Sequence, residues 1–213
     1  MPIQIDPNLN VDPLPNRIGA PTGYANFSNI GTLTPAGSAT TSEDLRIDAI
    51  TIPLGAVTPT DTTGFRGNAD FKTRNFVHNQ ADEVQFDIQF PHDTKLGATC
   101  YPHVHFSPVT SGSGAVQFIF EFYPANVNAQ FPASTTSASL YKQWTAADRS
   151  WYHLIATQNA GITIADSDLS SIWKCRLYRD NTIAGNFLAA VSGLYIDIHY
   201  ERDSLGSNTE YEK

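Results

Sequence analysis

Between Glu83 and Phe122 apolar and polar residues alternate one by one through three runs. They read Glu83-Val-Gln-Phe-Asp-Ile-Gln-Phe90, Thr99-Cys-Tyr-Pro-His-Val-His-Phe-Ser107 and Ala115-Val-Gln-Phe-Ile-Phe-Glu-Phe-Tyr123. Side chains of a strand point to opposite faces in turn, so a period of two predicts three strands, each with one face in a core. Val84, Phe86, Ile88 and Phe90 share one such face; Gln85, Asp87 and Gln89 share the other. The Ser111-Gly-Ser-Gly114 stretch reads as a hairpin turn joining the second and third runs.

The same reading extends along the chain. Leu45–Ile52 and Phe71–Val77 predict strands before this block, separated by Pro53, Pro59 and a turn at Asp61–Gly64. After it, Pro124–Ser139 reads as a long polar loop. Strands follow at Tyr141–Trp144 and Trp151–Ala156, around a turn at Ala147–Ser150. Ala165–Ser170 predicts one helical turn with Asp166 or Ser167 as its cap. Ile172–Tyr178 places Trp173, Cys175 and Leu177 on one face. Val191–Glu201 sets Leu194, Ile196, Ile198 and Tyr200 against Tyr195, Asp197, His199 and Glu201. About nine short strands without an amphipathic helix predict an all-β, antiparallel sandwich of jelly-roll type.

Residues 1–44 break this pattern. Prolines at 2, 7, 13, 15, 21 and 35 remove ladder donors and fix φ, which excludes a helix or a central strand. Apolar residues nevertheless recur: Ile3, Ile5, Leu9, Val11, Leu14, Ile18, Tyr24 and Phe27. The segment reads as an extended arm whose apolar residues are interface candidates, followed by a single β-sandwich domain over 45–213.

Composition narrows the function. At 213 residues one β domain buries enough surface to need no disulfide or structural metal. A net charge of −8 with no basic run argues against direct nucleic-acid binding. Cys100 and Cys175 stand far apart, each in a strand-like run, and read as buried free thiols. The start Met1-Pro-Ile-Gln-Ile-Asp-Pro has neither the basic nor the apolar part of a signal peptide, and no stretch approaches a membrane span. The expectation is a soluble chain made in a cytosol.

Site chemistry must be weighed first at His103 and His105, which project from one strand face with Tyr101. Asp197 and His199 share a face of the last strand, and His92 precedes the pair. Two imidazoles two residues apart can hold a metal ion. Gly97 ahead of His103-Val-His105 also resembles the opening of the cupin metal motif. A cupin would then supply a Glu where Val109 and Thr110 stand, and no second motif follows. The histidines (His103, His105 and, on the last strand, His199) therefore read as structural or interface residues, with a metal as the weaker alternative. There is no Gly-x-Ser-x-Gly, no partner for His153 and no phosphate-binding glycine loop. Tyr141, Trp144, Trp151 and Tyr152 are the residues a sugar would stack on, but their alternate spacing fits a core better. No catalytic, cofactor-binding or metal-binding set is expected, and no cofactor.

Phe90-Pro-His-Asp-Thr-Lys-Leu-Gly97 followed by Tyr101-Pro-His-Val-His-Phe-Ser-Pro108 resembles a segment of a family of tailed-bacteriophage virion proteins. So do Cys175-Arg-Leu-Tyr-Arg-Asp180, Leu194-Tyr-Ile-Asp-Ile-His-Tyr200 and the final Glu-Tyr-Glu-Lys213. The resemblance spans roughly 83–213 and implies a particle component without catalytic residues. An acidic, turn-rich β domain with an arm fits a capsid decoration, or cement, protein. Its expected partners are the major capsid protein or other virion proteins and itself, as a homo-oligomer such as a trimer. No nucleic acid and no membrane are expected, with assembly in the bacterial host cytoplasm. A neck or tail component, a carbohydrate-binding adhesion module and a cupin-like metalloenzyme are the alternatives.

Overall fold

A computed structural model describes the backbone of four strands between residues 17 and 47, together with residues 62–78, 82–145, 149–164 and 170–203. Among them are fourteen strands and no helix. The first three, β1 (Arg17–Ala20), β2 (Gly23–Phe27) and β3 (Leu33–Gly37), form an antiparallel meander in a sheet of their own. Ile18, Tyr24 and Phe27 lie on β1 and β2, whereas Ile3, Ile5, Leu9, Val11 and Leu14 fall outside the described residues. The helical turn expected over 165–170 falls almost wholly outside them as well, as do residues 48–52 of the first expected strand.

The remaining strands are β4 (Thr41–Ile47), β5 (Thr62–Phe65), β6 (Asn68–Phe76), β7 (Glu83–Gln89), β8 (Thr99–Pro108), β9 (Gly114–Ala125), β10 (Thr136–Trp144), β11 (Leu154–Thr157), β12 (Ile162–Thr163), β13 (Ile172–Asp180) and β14 (Val191–Arg202). Their pairing gives two antiparallel layers. One runs β4–β14–β8–β11, and the other β7–β13–β9–β10. A single pair, Tyr141 opposite Thr157, joins β10 to β11 and links the layers at one edge. Most connections after β6 change layer, as in the winding of a jelly roll. The outer strand of the first layer comes in two pieces: β4 lies along residues 196–202 of β14, and the end of β6 continues in the same direction along 191–193. β4 begins pairing at Thr41, ahead of the boundary at residue 44.

The core follows from the alternation. Val84, Phe86 and Ile88 from β7 stand beside Trp173, Cys175 and Leu177 from β13 and Phe118, Phe120 and Phe122 from β9 on the inner face of the second layer, all buried. Across the layers, Phe106 of β8 meets Phe118 and Trp144 with ring centroids 5.7 and 6.1 Å apart. Phe76 packs edge-on to Phe118 at 5.3 Å, and Phe90 lies against both Trp173 and Tyr200. Each fully buried ring contributes about 1.5–3 kcal/mol by leaving water, so the interior supplies most of the stability. Among the buried polar side chains, beside Arg74, is Arg179. Its guanidinium donates to the carbonyls of Phe76, Ala189 and Phe187 and to Asn186, and burial lowers its pKa to about 10.

Four expectations are corrected here, the first being the turn at Asp61–Gly64, since Thr62–Gly64 belong to β5 and pair with β6. Ser111–Gly114 does not close a hairpin, because β8 and β9 lie in different layers and do not pair. The loop after β9 is shorter than expected: β9 continues through Tyr123 to Ala125 and β10 starts at Thr136. Thr136–Ser139 alternates small residues, a weak signal that becomes a strand by pairing with Ser137 opposite Glu121 and Ser139 opposite Ile119. Trp151 and Tyr152 lie in the turn before β11 instead of within it, with Trp151 at a φ of 62°.

Candidate functional site

The outer face of the first layer gathers imidazoles that the sequence scatters. On β8, Val104 and Phe106 point into the core, so Tyr101, His103 and His105 point out. On β14, Ile196 and Ile198 are buried in the core, and Tyr195, Asp197 and His199 point out beside them. The register sets Tyr195 opposite His105, Asp197 opposite His103 and His199 opposite Tyr101. A bulge between Gly193 and Tyr195 fixes that phase. β11 brings His153 against the other side of β8.

His105 is the centre of one network. Its Nδ1 lies 2.6 Å from His153 Nε2, and its Nε2 lies 3.3 Å from Asp197. A carboxylate only accepts, so the proton on His105 Nε2 is donated to Asp197; in a neutral ring Nδ1 then accepts from His153 Nε2–H. Burial holds His105 below the ordinary imidazole pKa, against the opposing pull of Asp197, and keeps it in this neutral form. Tyr195 stacks on the ring at 4.1 Å. His105 is thereby spent in hydrogen bonds, as a structural histidine should be.

His103 and His199 form a second group. Their rings stack 4.4 Å apart, and with Asp197 they offer three ligand atoms that all lie within 4.8 Å of one another. His199 Nε2 is 3.7 Å from Asp197 Oδ2. Asp197 is buried although it stands on an outer face, and its Oδ1 meets no hydrogen-bond geometry; His105 Nε2 stands 3.3 Å away but off line. Of the sequence candidates, His103 and His199 are brought together, His105 is turned to another task, and His92 is distant in role, bonded to Ser170 Oγ at 2.8 Å. Asp197 was visible as a neighbour of His199 but not as a partner of His103, since only the β8–β14 register makes that pair.

The outer face of the second layer is charged instead. Arg176 donates to Glu121 and Glu83 at 2.6 and 3.1 Å, Tyr178 donates to Glu121 at 3.1 Å, and Lys174 pairs with Asp87 at 2.7 Å. Gln85, Glu121, Lys174 and Arg176 line an open groove of about 510 Å³. Of the four aromatic residues weighed for sugar stacking, Trp144 is buried in the core, while Tyr141 and Tyr152 are exposed on different elements. Both thiols are free and buried, on β8 and β13 in opposite layers.

No protein-family model matches the chain, and no curated protein sequence matches it. The resemblance to phage virion proteins therefore rests on the motifs quoted above. Among solved structures, the chain is similar to a chain in the structure of the Gx strain of infectious bursal disease virus, with a TM-score of 0.41 and 12% identity over 90% of this chain and 42% of that one. A second similarity is to the T13 particle of the same virus, at a TM-score of 0.39 and 12% identity over 91% and 39% of the two chains. A third is to its VP2 subviral particle, at a TM-score of 0.34 and 8% identity over 89% and 46%. The chain spans less than half the length of each.

Proposed function

We propose that this chain is a non-enzymatic structural component of a bacteriophage particle, placed on the capsid as a decoration protein. The observation that carries the reading is where the jelly roll puts its side chains. The inner faces are filled by Phe106, Phe118, Phe120, Phe122 and Trp173, whereas the His103–Asp197–His199 group and the Arg176–Glu121 network stand on the outer faces. A cupin-type enzyme needs its histidines inside the barrel, and here His103 and His105 stand on the side opposite Val104 and Phe106. Outer faces with fixed charge networks meet other macromolecules, and repetition by symmetry turns modest contacts into a stable shell. The motif resemblance over 83–213 supports a virion partner. The apolar residues of the N-terminal segment, with the separate meander β1–β3, supply additional contact area towards neighbouring subunits or the capsid surface.

Co-sedimentation with particles lacking the protein tests this. Full-length protein is expected to saturate the particles at a high, symmetry-related copy number. A chain beginning at Thr41, which retains β4, is expected to keep its melting transition and bind poorly. No binding of the full chain, or a few copies confined to one vertex in a particle map, overturns the decoration role; equal binding of the shortened chain overturns the arm.

A further inference from the structure

The geometry points to a zinc-type divalent metal site formed by His103, His199 and Asp197 on the outer face of the first layer. The inference does not depend on the particle role. It starts from the register: His103 and Asp197 are directly opposed on β8 and β14, and His199 is one diagonal step away on the same face. Such neighbours are held by two long, paired strands, so little order must be added on binding.

The donor set selects the ion. Two imidazoles and one carboxylate suit zinc and its borderline neighbours, whereas calcium and magnesium require oxygen ligands throughout. Tetrahedral zinc with ligand bonds near 2.0–2.1 Å sets its donors about 3.3 Å apart. The present donors, within 4.8 Å of one another, close to that spacing by side-chain rotation at His199, whose side chain is 46% exposed. Three protein ligands leave one position for water.

Two further observations ask for a cation here. Asp197 is a buried carboxylate whose Oδ1 lacks a hydrogen bond, a costly arrangement unless a positive partner is present. Behind it, His105 gives its N–H to the carboxylate and is itself oriented by His153 and stacked on Tyr195. That chain of support is what metal-ligating carboxylates normally have. His105 is thus a positioning residue and not a ligand.

The test uses the full chain, purified without a histidine tag and stripped with chelator, titrated calorimetrically with zinc chloride. One equivalent should bind, with a rise in melting temperature; magnesium or calcium at the same concentration should give neither. His199→Ala, at the more accessible ligand, should weaken binding at least tenfold with its zinc-free melting temperature unchanged. His103→Ala should do the same, and Lys174→Ala, on the outer face of the other layer, should retain the equivalent. Cobalt in place of zinc should give the intense visible bands of a four-coordinate nitrogen and oxygen site. Absence of stoichiometric zinc binding overturns the inference. So does binding that survives His199→Ala, or that is lost equally in Lys174→Ala.

Discussion

His105 shows at the scale of one residue how position outranks residue type. It belongs to the same His-x-His as His103, yet its nitrogens are engaged by His153 and Asp197, whereas His103 faces His199. The cysteines make a similar point. Cys175 is buried between β7 and β9, its Sγ directed at the Trp173 carbonyl at 3.3 Å, and burial pushes its thiol well above the ordinary range. A thiol that cannot ionise is a poor nucleophile. Neither Cys100 nor Cys175 should therefore react with Ellman's reagent in the native protein, and both should titrate once it is unfolded without reductant. An unreactive denatured chain with a mass about two daltons short would establish a bridge instead.

Among the elements, β12 illustrates how a short strand is held by one backbone conformation. It consists of Ile162 and Thr163, pairing with Cys100 and Thr99 of β8, and Gly161 enters it at a φ of 70°. A Cβ at Gly161 would stand 2.1 Å from the Thr99 methyl and 3.0 Å from the Cys100 carbonyl oxygen. Gly185 shares the φ of 70° but meets nothing within 4 Å. The left-handed conformation alone costs a non-glycine residue about 1–2 kcal/mol. Gly185→Ala should lose only that, whereas Gly161→Ala should lose at least roughly 1 kcal/mol more as β12 is pushed from β8. Urea midpoints of the two variants measure the difference directly, and equal shifts would show that β12 yields without resistance.

For the whole molecule, the contact that matters is between layers, because each layer leaves an apolar face that only the other can cover. Phe118 sits at that seam, touching Phe76 and Phe106 of the first layer from β9 of the second. Phe118→Ala should cost about 3–5 kcal/mol, the range for deleting a buried aromatic ring. Domains have about 5–15 kcal/mol in total, so the variant should unfold at much lower urea and bind the dye ANS if its layers separate. A midpoint within error of the parent chain would mean that the seam is held elsewhere. Under the decoration role the same variant should also fail to occupy particles, since both outer faces are displayed by this packing.

Alternation along the chain determined the strands β7 to β9, β13 and β14 and which of their residues face the core, because burial of one face imposes a period of two wherever a strand is half covered. It placed both cysteines in strands for the same reason. The all-β jelly-roll class followed from the number and spacing of such segments. What alternation does not carry is the identity of the neighbour. Ser111–Gly114 has the composition of a hairpin turn, yet it carries the chain from one layer to the other, because β8 is already flanked by β14 and β11. Thr136–Ser139 becomes strand only through β9. Asp197 meets His103 across nearly a hundred residues because a bulge at Gly193 sets the register of β14 on β8. Pairing is decided by which edges remain open once the layers close over the aromatic core, a property of the folded chain as a whole, and the candidate site lies where that decision falls.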